Sequence, residues 1–156
     1  MSETDETGTG ESRSPLAYEA SIPVRIYDTD MLGVVNNVVY VRWLEDLRTG
    51  WCDRYLPLQE QMARGVAPVI VSIHIEYGTP VRFGDEVVGK VWVTPERVRM
   101  VVDTEIRANG SLSAKARQVV AMVRTDTLRP TRMPADLLRR YEEGMAGRTA
   151  SEGEPT

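Results

Sequence analysis

Polar and apolar residues follow two different periods along this chain. Ile22, Val24 and Ile26 alternate with Ser21, Arg25 and Tyr27, which predicts a strand over residues 18–27. The period then changes. Tyr40, Leu44, Leu47, Trp51 and Tyr55 recur at three- and four-residue steps, with Val41 and Cys52 beside them and Arg42, Glu45, Asp46, Arg48 and Asp53 between. This spacing predicts one amphipathic helix over residues 38–55. Alternation returns over 69–77, where Val69, Val71, Ile73, Ile75 and Tyr77 share a face opposite Ser72, His74 and Glu76. Val-rich and alternating runs predict further strands over 86–94, 98–108 and 112–124, and Asn109-Gly110 marks a tight hairpin between the last two. Pro134 opens a short final helix over 134–143.

The order is strand, long helix, then four strands joined by turns. Sequential strands with short connections favour an antiparallel sheet, and a single apolar helix needs that sheet to curve around it, an α+β arrangement. Residues 1–15 and 144–156 are poor in apolar side chains and are expected to be disordered tails around a domain at 16–143. At 156 residues, 42% of them apolar, the chain suits one domain with a sizeable core. The net charge of −4, with no long basic run, argues against a nucleic-acid partner. No apolar run reaches the roughly 20 residues of a membrane helix, and the polar, acidic start has no signal-peptide core, so a cytoplasmic location is expected. One cysteine, Cys52, and one histidine, His74, offer no internal disulfide and none of the usual zinc sets.

The chemistry concentrates where the first strand gives way to the helix. Tyr27-Asp28-Thr29-Asp30 and Gly33-Val34-Val35 form a short acidic loop, and Asn36 and Asn37 follow it as helix caps. A loop carboxylate can attack a carbonyl or activate water, and free N–H groups at a helix N-terminus suit an oxyanion. Taken locally, Asp30 reads equally well as a loop or cap residue.

The wider pattern favours chemistry. Tyr27-Asp28-Thr29-Asp30, Gly33-Val34-Val35, Tyr40, Trp43, Glu45 and Arg48 resemble the signature of the hotdog-fold acyl-CoA thioesterases, in the 4-hydroxybenzoyl-CoA thioesterase-like branch. Glu76-Tyr77, Pro80-Val81-Arg82-Phe83-Gly84-Asp85-Glu86-Val87 matches a second segment of that family. The resemblance implies a five-stranded antiparallel sheet wrapped around a long central helix. It implies a homodimer or homotetramer with active sites between subunits, no cofactor, and hydrolysis of a thioester of coenzyme A or an acyl-phosphopantetheine carrier. It places the catalytic carboxylate at Asp30 and the carbonyl-polarising N–H at or next to Asn37, with Gly33, Val34, Val35 and Asn36 lining the substrate.

One departure stands out. Many relatives carry His where this chain has Asn37, or a Gly-His-Val pattern where it has Val34. Asn orients water or substrate but does not exchange a proton near pH 7. Glu45 and Tyr40 are secondary candidates. Glu45 has the alternative of an ion pair with Arg42 or Arg48, and Tyr40 and Trp43 the alternative of core packing. Arg97, Arg99, Arg129 and Arg132 are candidates for the phosphates of coenzyme A. Two other functions compete with hydrolysis: an enoyl-CoA hydratase, which lacks its His here, and a domain that binds acyl-CoA without turnover.

Overall fold

A computed structural model describes residues 13–152 of the chain. The elements in order are β1 (Ala17–Ile22), a 3-10 turn (Ile26–Asp28), α1 (Asn37–Tyr55), α2 (Leu58–Ala63), β2 (Val66–Tyr77), β3 (Val87–Pro95), β4 (Arg99–Ala108), β5 (Ser111–Arg124) and α3 (Ala135–Glu152). The strands form one antiparallel sheet in the order β1-β3-β4-β5-β2. The α+β architecture expected from the two periods is therefore the observed one. Among the described residues no helix is long and apolar enough to cross a membrane.

Helix α1 lies on the inner face of the sheet. Asn36 caps it, accepting the Val38 N–H at 3.1 Å, and the Leu56 N–H closes its other end on the Cys52 carbonyl at 2.8 Å. Val39, Tyr40, Trp43, Leu44, Leu47, Trp51 and Cys52 are buried. They meet the inward residues of β3 (Val87, Val91, Val93) and β4 (Met100, Val102, Ile106). Val41, expected beside the buried stripe, is instead exposed, because the helix leans toward β1 and β3 and turns Val38 and Val41 toward the open β2 side.

Two glycines let helix and sheet approach. A Cβ on Gly89 of β3 would lie 2.4 Å from a Leu47 methyl, and one on Gly50 of α1 would lie 2.4 Å from the Tyr18 ring. Trp51 and Tyr55 then tie the helix to β1: the indole N–H donates to the Leu16 carbonyl at 3.1 Å and the Tyr55 hydroxyl to the Ala17 carbonyl at 3.0 Å.

Three sequence expectations need correction. The strand expected to reach Tyr27 stops at Ile22, and Ile26–Asp28 form a 3-10 turn whose Asp28 side chain takes the Arg25 N–H. The single face expected for Val69 to Tyr77 is broken by a bulge between Ile70 and Ser72. Ile73, Ile75 and Tyr77 oppose the inward residues Gln118, Ala116 and Ala114, whereas Val69 opposes Ala121 on the other face. The expected tails are also shorter. The helix expected to end at Glu143 continues to Glu152, and Ser14 is buried with its hydroxyl bonded to the Val93 carbonyl. Arg13 pairs with Glu105 at 2.6 Å and covers the Trp92 ring, Arg148 donates to the Arg13 carbonyl, and Pro15 packs on Gly144. These contacts give both segments partners invisible in their local composition. The expected disorder at 1–12 and 153–156 lies outside the described residues. The Asn109-Gly110 hairpin forms as expected, with both residues at positive φ.

Replacing Gly89 with Val should lower unfolding free energy by about 1–3 kcal/mol through overpacking against Leu47. Denaturant unfolding would show this as a lower midpoint at an unchanged slope. A second expectation concerns pH. Partial burial raises the Glu105 carboxyl, but the hydrogen bond and charge of Arg13, with those of Arg107, hold it below its ordinary value on balance. Its contribution is then present above the unfolded carboxylate pKa of about 4.3 and is lost as pH falls through the lower folded value. Arg13→Met should remove about 1 kcal/mol or less near pH 7, since the pair is partly screened, and less in acid. A stability loss equal at all pH values would contradict this.

Candidate active site

The loop between the 3-10 turn and α1 is held by its own backbone. Asp30 N–H donates to the Val34 carbonyl at 2.8 Å, Gly33 N–H to the Asp30 carbonyl at 3.0 Å, and Asn36 N–H to the Asp28 carbonyl at 2.9 Å. Gly33 sits at φ +74°, where a side chain would strain the turn. Val35 N–H reaches the Val81 carbonyl at 2.7 Å, and Val34 bridges Arg82, so the Pro80–Asp85 connection backs the loop.

The two aspartates of the loop have different surroundings. Asp28 is buried. One carboxylate oxygen accepts the Arg25 N–H at 2.8 Å and the other lies 3.8 Å from the Arg42 guanidinium. Asp28 therefore fixes the entry to the helix. Asp30 is exposed. Its Oδ1 accepts the Leu32 N–H at 2.8 Å and the Val34 N–H at 3.4 Å, while Oδ2 has no hydrogen-bond donor among the described residues. One oxygen orients the carboxylate and the other stays available.

At the start of α1, Val38 N–H is satisfied by the Asn36 side chain and Val39 N–H donates to the Asn36 carbonyl at 2.9 Å. The Asn37 N–H, first in the helix, has no acceptor among the described residues. The Tyr77 hydroxyl donates to the Asn37 carbonyl at 3.2 Å and anchors the end of β2 there. Asp30 and Asn37 thus belong to one junction, and Gly33, Val34, Val35 and Asn36 form the backbone between them. Sequence reasoning missed Tyr77 as a support of this junction, since its alternation read as strand packing and the second family segment gave it no role.

Tyr40 is buried, with its ring centroid 5.1 Å from those of both Trp43 and Tyr77. Burial pushes its phenol up, a backbone hydrogen bond at Val81 opposes this in part, and Tyr77 adds to the rise. The phenol is therefore neutral near pH 7 and supports the junction from below. Glu45 is exposed about 12 Å along the helix from Asn37, and among the described residues neither Arg42 nor Arg48 pairs with it. Arg42 turns to Asp28 and Arg48 to Gln118.

The four arginines proposed from sequence for phosphate lie at the other end of the same sheet. Tyr77 opposes Ala114 near the start of β5, whereas Arg97 and Arg99 flank the β3–β4 turn, and the Arg129 carbonyl accepts the Arg124 N–H at the end of β5. Arg132 sits next to Met133, whose N–H donates to the Arg97 carbonyl. The separation along β5 from Ala114 to Arg124 is about 33 Å. Arg25, Arg42 and Arg82 lie near the loop instead and are exposed. A cavity of about 410 Å³, lined by Arg13, Trp92, Asp103, Glu105, Lys115 and Arg117, opens on the outer sheet face, where Arg13–Glu105 and Arg117–Asp103 already pair. Among the described residues no three His, Cys, Asp or Glu side chains gather as a metal ion would require.

Residues 24–141 match the family model of the thioesterase-like superfamily. A Bacillus subtilis (strain 168) protein named "Putative acyl-CoA thioesterase YneP" is 32% identical over 73 residues, 46% of this chain and 53% of that protein, so the chain spans about half the length of that curated relative. A DHNA-CoA thioesterase from Staphylococcus aureus superposes with a TM-score of 0.72 at 21% identity, over 90% of this chain and 97% of that one. A thioesterase from Thermus thermophilus, solved with coenzyme A and Zn, gives 0.71 at 25% identity, over 93% and 99%. The curved antiparallel sheet around one helix is the hotdog fold, and with most of its folded region matched the chain belongs to the thioesterase-like superfamily.

Proposed function

We propose that this protein is an acyl-CoA thioesterase acting through Asp30 and the start of α1. The observation that carries the reading is one junction holding both halves of the chemistry. An oriented carboxylate with an unoccupied oxygen opens the short loop that leads into a helix whose first N–H has no acceptor among the described residues. The thioester carbonyl accepts the Asn37 N–H, and the helix dipole stabilises the oxyanion that forms. Asp30 takes a proton from water as the water oxygen attacks, or attacks the carbonyl itself to give an anhydride that water then opens. In either route the carbon–sulfur bond breaks and a carbon–oxygen bond forms; in the first the proton taken by Asp30 passes to the departing thiolate, and in the second the thiolate takes a proton from solvent and water releases one when it opens the anhydride. Products are the free acid and the thiol. The Asn37 side chain takes no proton, so the carboxylate bears the acid–base work alone. The names of the relatives support coenzyme A as carrier, with an acyl-phosphopantetheine as the other candidate, and the sequence signature points to the 4-hydroxybenzoyl-CoA thioesterase-like branch in a cytoplasmic setting.

The working unit in this reading is a homodimer or a homotetramer built from it. Strand β2 is an unpaired edge with Val69, Ile70, Val71, Ile73 and Tyr77 exposed, and Val38 and Val41 of α1 extend the apolar surface. Such an edge is a template for a second strand. Antiparallel pairing with a second copy reverses direction, so the end of the partner's sheet that carries Arg129 comes toward the Asp30 loop. That arrangement supplies phosphate-binding arginines from the partner, while Arg25, Arg42 and Arg82 supply them from the same chain.

Asp30→Asn should reduce thiol release from acyl-CoA by at least about a hundredfold with little change in stability. Equal rates for both proteins would remove Asp30 from the mechanism. Val71→Lys, on the exposed edge, should shift the protein to monomer in sedimentation and lower activity in parallel. A monomer of full activity would show that the site is complete within one chain.

A further inference from the structure

The inner face of the sheet carries a polar pair that the hydrolytic chemistry does not use. Gln118 of β5 has no exposed surface, and its carbonyl accepts a bond from the Arg48 guanidinium of α1. Its Nε2 has no hydrogen-bond partner among the described residues. An amide NH₂ buried without acceptors is costly, and native folds rarely leave one so. Arg48 is half-buried and bonded only to this neutral amide, with no carboxylate within ion-pair distance among the described residues. Its desolvation lowers its basicity, which Glu45 one turn earlier restores only in part. A cation and two N–H donors therefore sit together with no carboxylate bonded to them among the described residues.

Their place relative to the reaction centre is defined by register. Tyr77, bonded to Asn37, opposes Ala114, Ile75 opposes Ala116, and Ile73 opposes Gln118. From the level of the Asn37 junction to Gln118 the distance along β5 is about 13 Å. On the helix, Val38, Val41, Glu45 and Arg48 fall on one stripe facing the same side. Between the junction and Gln118, Tyr77, Ile75 and Ile73 follow one another on the strand and Val38 and Val41 on the helix, and all but the half-buried Ile75 are exposed. This apolar stretch begins at the helix N-terminus and ends at the half-buried Arg48, beside which Gln118 is fully enclosed.

We infer that Arg48 and Gln118 read the far end of the acyl group, and that the preferred substrates are thioesters whose acyl chain ends in a carboxylate. This rests on the thioesterase reading of the same junction. The apolar side chains take the methylene chain, the carboxylate accepts from the guanidinium and, once the side chains enclosing Gln118 part to admit it, from the Gln118 NH₂, and the unmatched donors are satisfied only when substrate is bound. A methyl-ended chain of equal length leaves them unmatched, which disfavours it.

The test compares adipoyl-, suberoyl- and sebacoyl-CoA with hexanoyl-, octanoyl- and decanoyl-CoA by thiol release. Wild type should favour the carboxylate-ended member of at least one length pair by tenfold or more in kcat/KM. Gln118→Glu keeps the side-chain shape, gives Arg48 an internal anion and removes the NH₂ donors. It should cut that ratio at least tenfold, and Arg48→Met should do the same. Wild type that hydrolyses both series at equal efficiency would overturn the inference and leave the thioesterase reading intact. Variants that slow both series alike while breaking the dimer in sedimentation would assign the pair to the subunit interface and also overturn it. If wild type hydrolyses none of the six, the thioesterase reading fails. Calorimetric titration with adipoyl-CoA and hexanoyl-CoA then decides the recognition claim, equal affinities refuting it and tighter adipoyl-CoA binding sustaining it.

Discussion

The burial of one face of α1 on the inner side of the sheet is the constraint from which the rest follows. Trp51 has no exposed surface, Leu44 and Leu47 almost none, and the strand residues they meet are equally enclosed. Removing side chains of this size from water contributes on the order of 1.5–3 kcal/mol each. Gly89 and Gly50 ease that contact, since a Cβ at either would press on the tip of Leu47 or on the Tyr18 ring. The contact also fixes where the helix begins, and hence where its first N–H points.

The junction at that N-terminus inherits its order from the packing below it. Tyr40, buried against Trp43 and Tyr77, seats the first turn, and Tyr77 in turn holds the Asn37 carbonyl. Asp28 serves structure, collecting a backbone N–H and facing Arg42, which leaves Asp30 at the surface with one oxygen restrained. Two aspartates two residues apart thus divide the work. The inward one shapes the loop and the outward one remains available for chemistry.

The lean of α1 toward β1 and β3 has a cost on the opposite side. There β2 is an unpaired edge with exposed apolar side chains, and the half-buried Arg48 is bonded to a Gln118 that has no exposed surface. Exposed apolar strand residues and buried unmatched donors are both unfavourable in an isolated chain. Both lie on the side of the molecule where the Asp30 loop meets the start of α1.

Much of this was legible in the sequence because it depends on local periodicity and turn chemistry. The period of 3.6 set a helix over residues 38–55, one residue short of the observed start, alternation set the last three strands, Asn109-Gly110 set their hairpin, and the spaced motif around Asp30 pointed to the loop before α1. What depends on long-range contact was not legible. Alternation alone gave β2 one unbroken apolar face, but pairing with β5 inserted a bulge that turned Val69 to the other side. Composition alone gave disorder to residues 13–15 and 144–152, but each segment finds its partner in the other and in β3 and β4. Arg97, Arg99, Arg129 and Arg132 carry suitable charge, but the direction of β5 puts them at the far end of the sheet from Asp30 in the same chain. The pairing of Arg48 with Gln118 joins residues 70 positions apart, a separation no local pattern encodes. Local propensity decides which elements form, while only the folded chain decides which side chains those elements bring together.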